Sequence, residues 1–278
     1  MRRFTTVDEV RSWRRERGGT VGLVPTMGAL HAGHLSLVEA ARRENDRVLV
    51  SVFVNPTQFG PREDYSRYPR DLEKDEALLE RAGADALFAP SVEVMYPPGT
   101  ETTVDVGSVA VPLEGERRPG HFRGVATVVL KLLGITTPDR AYFGEKDAQQ
   151  LAVVRRIVAD LDVPVEIRAC PIVREPDGLA LSSRNAYLSP AERGAATVLF
   201  RALRTAEGAW RTGERRGDVL RDVMRKTLEG EPLARVDYAA VADPATFREV
   251  DVAHGPVRLL LAVYLGRTRL IDNLLLEP

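Results

Sequence analysis

Hydrophobic positions along the first two thirds of the chain come in short β-branched or Leu-rich runs, separated by segments in which apolar residues recur at helical spacing. The runs predict strands at 21–25, 47–54, 86–89, 141–143 and 163–169, and the intervening segments predict helices at 34–44, 71–82, 122–133 and 148–161. In the second of these helices Leu72, Leu78 and Leu79 share one face, while Glu73, Lys74, Asp75, Glu80 and Arg81 occupy the other. Such a helix lies on the surface of a sheet. Strict alternation of strand and helix is the pattern of a parallel sheet wound with crossover helices. The expected class is therefore α/β, with a parallel sheet.

The rhythm changes after about residue 172. Arg174-Glu175-Pro176-Asp177-Gly178 is a turn cluster, and Ser189-Pro190-Ala191-Glu192 combines an N-cap Ser, a Pro at the first helical position and a Glu at the third. Helices are expected at 190–210 and 217–228. Strands follow at 236–241, 257–265 and 269–276, the last two joined by a tight turn at Gly266-Arg267-Thr268. Helices followed by antiparallel strands predict a smaller α+β C-terminal domain. The expected division is residues 1–173 and 174–278, with no internal repeat or low-complexity tract.

Composition narrows the class. Lys+Arg is 39 and Asp+Glu is 40 in 278 residues, so the chain lacks the basic excess of a nucleic-acid-binding surface. No apolar run approaches the roughly 20 residues of a bilayer span. The opening Met1-Arg2-Arg3-Phe4 has no apolar stretch behind its charges, which argues against a secretory signal and for a cytoplasmic protein. One Cys and four His make a disulfide framework or a structural zinc site improbable. There is no G-x-S-x-G, H-E-x-x-H or G-x-G-x-x-G. Covalent hydrolysis and zinc chemistry thus lack their parts.

Candidate chemistry gathers where strands turn into helices. Residues 25–35, Pro-Thr-Met-Gly-Ala-Leu-His-Ala-Gly-His-Leu, join the first of these strands to its helix, where open α/β sheets bind ligands. His31 and His34 are three apart and share a face of the first helical turn. The spacing of Gly28 and Gly33 imitates a phosphate loop, but His34-Leu35 stands where Lys-Ser/Thr is required, so a Walker site is rejected. Two structural histidines, one of them capping the helix, are the plainer alternative.

Gly144-Glu145-Lys146-Asp147 is a second strand-to-helix loop, ahead of Gln149 and Gln150. Only four of the 39 basic residues are Lys, which makes Lys146 notable as a point charge for a phosphate, although taken by itself the loop reads better as a solvated charge cluster. Asp147 suits a ribose hydroxyl or a metal. Leu181-Ser182-Ser183-Arg184 offers two hydroxyls and a guanidinium to anionic oxygens, or else is a polar turn. Asn55 and Gln58, after the 47–54 strand, suit hydroxyl or carboxylate groups, or serve turn chemistry. Arg118, in the basic and rigid stretch 117–124, faces a helix entrance as an anion contact would. This inventory fits attack on a nucleotide phosphate by a nucleophile that is already ionised, a reaction that needs only positioning and charge neutralisation.

Taken together, PTMGALHAGHLSL, FVNPTQF, RPGHFRGVATVV, YFGEKDAQQL and REPDGLALSSRNAYLS resemble the pantoate–β-alanine ligases, in that family's order over residues 25 to about 189. The resemblance implies ATP-dependent condensation of pantoate with β-alanine. Pantoate's carboxylate attacks the α-phosphorus to give pantoyl adenylate and pyrophosphate, and the β-alanine amine then displaces AMP.

The resemblance also implies residue roles. Met27, Gly28, His31, Gly33 and His34 hold ATP, with His34 a proton donor. Gly144, Glu145, Lys146, Asp147, Val173, Leu181, Ser182, Ser183 and Arg184 complete that site, with Arg118 a further phosphate contact. Gln58 and Gln150 bind pantoate, Gln58 also lies near β-alanine, and Asn55 borders their pocket. Leu181 stands where the family often has Met, a volume-conserving change. Mg²⁺, a homodimer and a Rossmann-like N-terminal domain with a C-terminal lid domain are likewise implied, and closure of that lid over the adenylate is a further expectation. The metal ligands are left open, with Asp75 and Asp147 as candidates. Competing expectations are another H-x-G-H nucleotidyltransferase, which does not require FVNPTQF and the Gln pair, a nucleotide-sensing module that binds ATP without turnover, and a structural α/β protein.

Overall fold

The computed structural model describes every residue except Arg17 and Arg62. Two compact units are present, Met1–Glu145 with Gln149–Pro171, and Lys146–Ala148 with Ile172–Pro278. Ile172 and Val173 thus belong to the second unit, as does the short segment around Lys146.

The first unit is built on β1 (Arg2–Phe4), β2 (Val21–Thr26), β3 (Arg47–Val52), β4 (Ala86–Phe88), β5 (Arg140–Gly144) and β6 (Glu166–Cys170). All pair in parallel, in the order β1-β4-β3-β2-β5-β6. Both faces are apolar, as a sheet covered on two sides requires. On one face Val21, Leu23 and Leu49 pack with helices α1 (Val7–Glu16), α6 (His121–Thr136) and α7 (Ala148–Asp160). On the other, Val24, Val48 and Val50 meet α2 (Ala32–Glu44) and α3 (Leu72–Arg81). Short helices α4 (Val92–Met95) and α5 (Glu114–Arg117) lie in the connection before α6. The expected Rossmann-like class holds. Strand order reverses between β2 and β5, which is the switch point where such sheets bind ligands.

In the second unit α8 (Pro190–Ala195), α9 (Val198–Arg211) and α10 (Gly217–Glu229) precede an antiparallel sheet of β7 (Ala234–Ala242), β8 (Val257–Leu265) and β9 (Thr268–Leu276). Leu199, Leu203, Trp210, Leu220 and Met224 form its core with Leu259, Leu261 and Val263. This is the smaller α+β architecture the pattern predicts.

Several expectations need correction. Residues 190–210 are two helices, because the Thr197 hydroxyl and amide both turn back to the Gly194 carbonyl and break the register. The 47–54 strand stops at Val52, just before the Asn55-Pro56 turn, and β6 starts at Glu166, past Pro164. β1 and α1 were not foreseen: two of β1's three residues are Arg, and α1 fully buries Val10 and Trp13 and partly buries Val7.

Candidate active site

The loop leaving β2 is held from behind by a carboxylate. Asp75, 2% exposed on α3, accepts the Ala29 N–H at 2.9 Å and the Leu30 N–H at 2.8 Å. Gly28 and Ala29 both adopt positive φ, and a Cβ on Gly28 would stand 2.8 Å from Asp75 Oδ2. Only glycine fits there. Burial pushes the Asp75 carboxyl above its ordinary range, and the two N–H donors pull it partly back. Asp75 is therefore a brace of the loop, with one backbone N–H on each oxygen.

The two histidines close the start of α2 between them. Gly33 N–H donates to His31 Nδ1 at 3.2 Å, and His31 N–H donates to His34 Nδ1 at 3.4 Å, with ring centroids 4.1 Å apart. An Nδ1 that accepts from a backbone N–H carries no proton, so each ring keeps its proton on Nε2. Capping and ligand recognition are compatible: the cap sets the tautomer, and Nε2–H is what a phosphate oxygen would meet. Gly33 sits in that first turn.

Beyond β3, Asn55 is 1% exposed and fully committed. Its Oδ1 accepts from Thr57 N–H at 3.3 Å, Thr57 Oγ1 at 2.9 Å and Tyr96 OH at 2.8 Å, and its Nδ2 donates to Gly124 O at 3.1 Å and Gln58 Oε1 at 3.0 Å. It holds the turn with both ends of its amide. Gln58 is buried with Nε2 at 3.2 Å from Met27 Sδ. This brings Gln58 and Met27 together, from loops that follow adjacent strands.

Arg118 is spent as well. Its Nε and Nη2 form a fork onto Glu63 at 2.7 and 2.8 Å, and Nη1 lies 3.0 Å from His121 Nε2. Burial raises the Glu63 carboxyl, but Arg118 outweighs it and the net shift is downward. The structure thus gives Arg118 an internal partner in Glu63.

The two adjacent glutamines of α7 differ sharply. Gln149, 3% exposed, accepts from Glu114 N–H at 3.2 Å and donates to the Val109 and Pro112 carbonyls at 2.9 and 2.8 Å. Gln150 is half-buried, near the loop that leaves β5 with Gly144 and Glu145.

Within the second unit, the Lys146 carbonyl accepts from Asn273 Nδ2 at 2.9 Å, and its ammonium lies 3.7 Å from Asp147. Asp147 is 47% exposed. Val173 and Leu181 are joined by a 3.0 Å backbone bond, and Ser182 caps the turn Ser183–Tyr187 by accepting from Arg184 N–H. Sequence reasoning passed over Tyr96 and His121, which grip the Asn55–Gln58 turn. The only signal for them was His121 inside the basic stretch.

A family model described as pantoate-beta-alanine ligase matches residues 2–275. The chain belongs to the pantoate–β-alanine ligase family. It is 62% identical over 277 residues to the pantothenate synthetase of Roseiflexus castenholzii, covering 100% of both chains. The crystal structure of the Thermus thermophilus pantothenate synthetase superposes with a TM-score of 0.96 at 53% identity and covers 100% of both chains. A pantoate–β-alanine ligase from Francisella tularensis, in complex with beta-gamma ATP and beta-alanine, gives a TM-score of 0.83 at 38% identity, covering 99% of this chain and 97% of that one. Members of this family need a nucleotide site and an acid site, and the loops at the switch point supply candidates for both. No helix among the described residues is long and apolar enough to cross a membrane.

Proposed function

We propose that this ligase condenses pantoate with β-alanine at the expense of ATP, through pantoyl adenylate, releasing AMP and pyrophosphate. The observation that carries this reading is the pair of histidines at the start of α2, each with Nδ1 facing a backbone N–H, beside the switch point of the sheet. Pantoate's carboxylate is ionised at neutral pH, since ordinary carboxyls titrate near about 4, so attack on the α-phosphorus needs no base. Catalysis then lies in holding the reactants in line and offsetting charge on the phosphates. His31 and His34 donate from Nε2 to phosphate oxygens, and the helix N-terminus behind them favours the anion. The Met27–Gly28 loop lies along the nucleotide. Gln58 and Gln150 bind pantoate.

In the second unit, Lys146 supplies a point charge and Ser182, Ser183 and Arg184 supply donors to ATP, with Val173 and Leu181 as apolar contacts. Among the described residues no three His, Cys, Asp or Glu side chains gather as a metal site. Mg²⁺ bound largely by phosphate oxygens and water fits that, since it requires only one or two carboxylates. The exposed Asp147 is the candidate, and the ion, when bound, neutralises phosphate charge. In the second half-reaction the β-alanine amine attacks the adenylate carbonyl and expels AMP. A homodimer in the cytoplasm completes the reading.

Pantoate-dependent exchange of labelled pyrophosphate into ATP, without β-alanine, tests the first half-reaction. Exchange is expected in the parent chain and roughly a hundredfold slower in His34→Ala and Lys146→Ala, the scale of a lost transition-state donor. Exchange at the parent rate in either variant would remove that residue from the mechanism.

A further inference from the structure

The orientation of the Gln58 amide follows from a chain of forced donors and acceptors. Thr57 N–H can only donate, so the Asn55 atom it meets at 3.3 Å is Oδ1. The opposite end of that amide is then Nδ2, and it faces the Gly124 carbonyl, which can only accept, at 3.1 Å. Nδ2 also lies 3.0 Å from Gln58, so the atom it meets there is Oε1. Gln58 Nε2 is thereby turned the other way, toward the Met27 thioether, a weak acceptor that leaves most of its donor capacity available.

Two residues outside the expected site hold this arrangement. Tyr96 OH donates to Asn55 Oδ1 at 2.8 Å. His121 Nδ1 stands 2.9 Å from the Gln58 carbonyl, which requires the proton on Nδ1 and makes Nε2 an acceptor for Arg118 Nη1 at 3.0 Å. Arg118 is itself fixed by the fork onto Glu63. The helix carrying His121 comes so close that a Cβ on Gly124 would lie 2.3 Å from the Thr57 carbonyl oxygen. The turn is thus pinned at its backbone and its side chains at once.

We infer that His121 and Tyr96 are positioning residues that present Gln58 to the acid substrate as a donor, so that the acid is recognised there at an oxygen acceptor. This rests on the reading of Gln58 as a pantoate contact. Neither residue touches substrate in this account. Each acts through Gln58, where a displacement of about 1 Å is enough to cost a large factor in rate or binding.

The test exploits the two ring nitrogens. In His121→Asn the amide can take the place of Nδ1 and keep the bond to Gln58, whereas in His121→Gln it takes the place of Nε2 and keeps only the bond to Arg118. His121→Gln is expected to raise the KM for pantoate roughly tenfold with the KM for ATP unchanged, the scale of one lost buried hydrogen bond. His121→Asn is expected to stay within about threefold of the parent, and Tyr96→Phe to raise the pantoate KM about fivefold. Equal losses in the two His121 variants, or pantoate and ATP constants that move together with the thermal midpoint, would overturn the proposal. Should the His121 variants not fold, Tyr96→Phe with an unchanged pantoate KM would do the same. Gln58→Ala with an unchanged pantoate KM would instead defeat the reading beneath it.

Discussion

The turn after β3 and the first turn of α7 each carry two amide side chains, and the fold treats the members of each pair differently. Asn55 and Gln149 have every amide atom bound to protein partners. Gln58 keeps its Nε2 on the weak Met27 acceptor, and Gln150 is half-buried. One amide in each pair builds the wall, and the other is the one we assign to the substrate. Side-chain chemistry, a primary amide, is the same in both roles, so what separates them is the number of backbone groups within reach.

That contrast is most exposed at Gln149. Gln149→Ala would strand the Glu114 N–H and the carbonyls of Val109 and Pro112, and should lower the free energy of unfolding by about 4 kcal/mol, measured by urea denaturation. A loss below about 1 kcal/mol would place Gln149 with the ligand-facing amides.

A second test uses the ionisable group gripping the other turn. Burial, with Arg118 alongside, holds the His121 imidazole down to about 4, against an ordinary 6.5. The unfolded chain therefore takes up the proton first, so the stabilisation is complete above pH 6.5 and is lost as pH falls from 6.5 toward 4. The loss across that window should be about 3 kcal/mol. His121→Asn removes this component while sharing the carboxylate contributions, so the difference between the two denaturation series isolates it. Parallel curves for parent and variant would show that the imidazole is not buried as neutral.

The smallest effect expected is at Gln150. Gln150→Ala should leave the unfolding midpoint unchanged and raise the KM for pantoate roughly tenfold, the loss of one hydrogen bond. A lowered midpoint with unaltered KM would reverse the assignment of the two glutamines.

Much of this was legible in the chain. Strand and helix periodicity placed the parallel sheet, and loops at strand ends pointed to His31, His34 and Lys146. Roles within those loops were harder to read, because they depend on contacts made far along the chain. Asp75 stood among the metal candidates, and its hold on the Ala29 and Leu30 amides, 46 and 45 residues away, was not readable from the sequence. Arg118 looked like a phosphate contact, and its partner Glu63 lies 55 residues away. Asn55 sits in a turn that sequence alone explains equally well by ligand or by backbone. Tyr96 and His121 went unremarked because their importance comes from a turn that is distant in sequence and close in space. β1 and α1 were missed for a simpler reason: charged residues outnumber the few apolar ones that anchor them.

The central claim is that this fold activates an acid with ATP and passes it to an amine. AMP release should therefore be followed under multiple turnover with ATP and Mg²⁺ plus pantoate alone, β-alanine alone, and both together. Sustained AMP formation only with both substrates is the expected result. ATP binding without AMP in any of the three mixtures would contradict the account and leave a nucleotide-binding protein without this ligase activity.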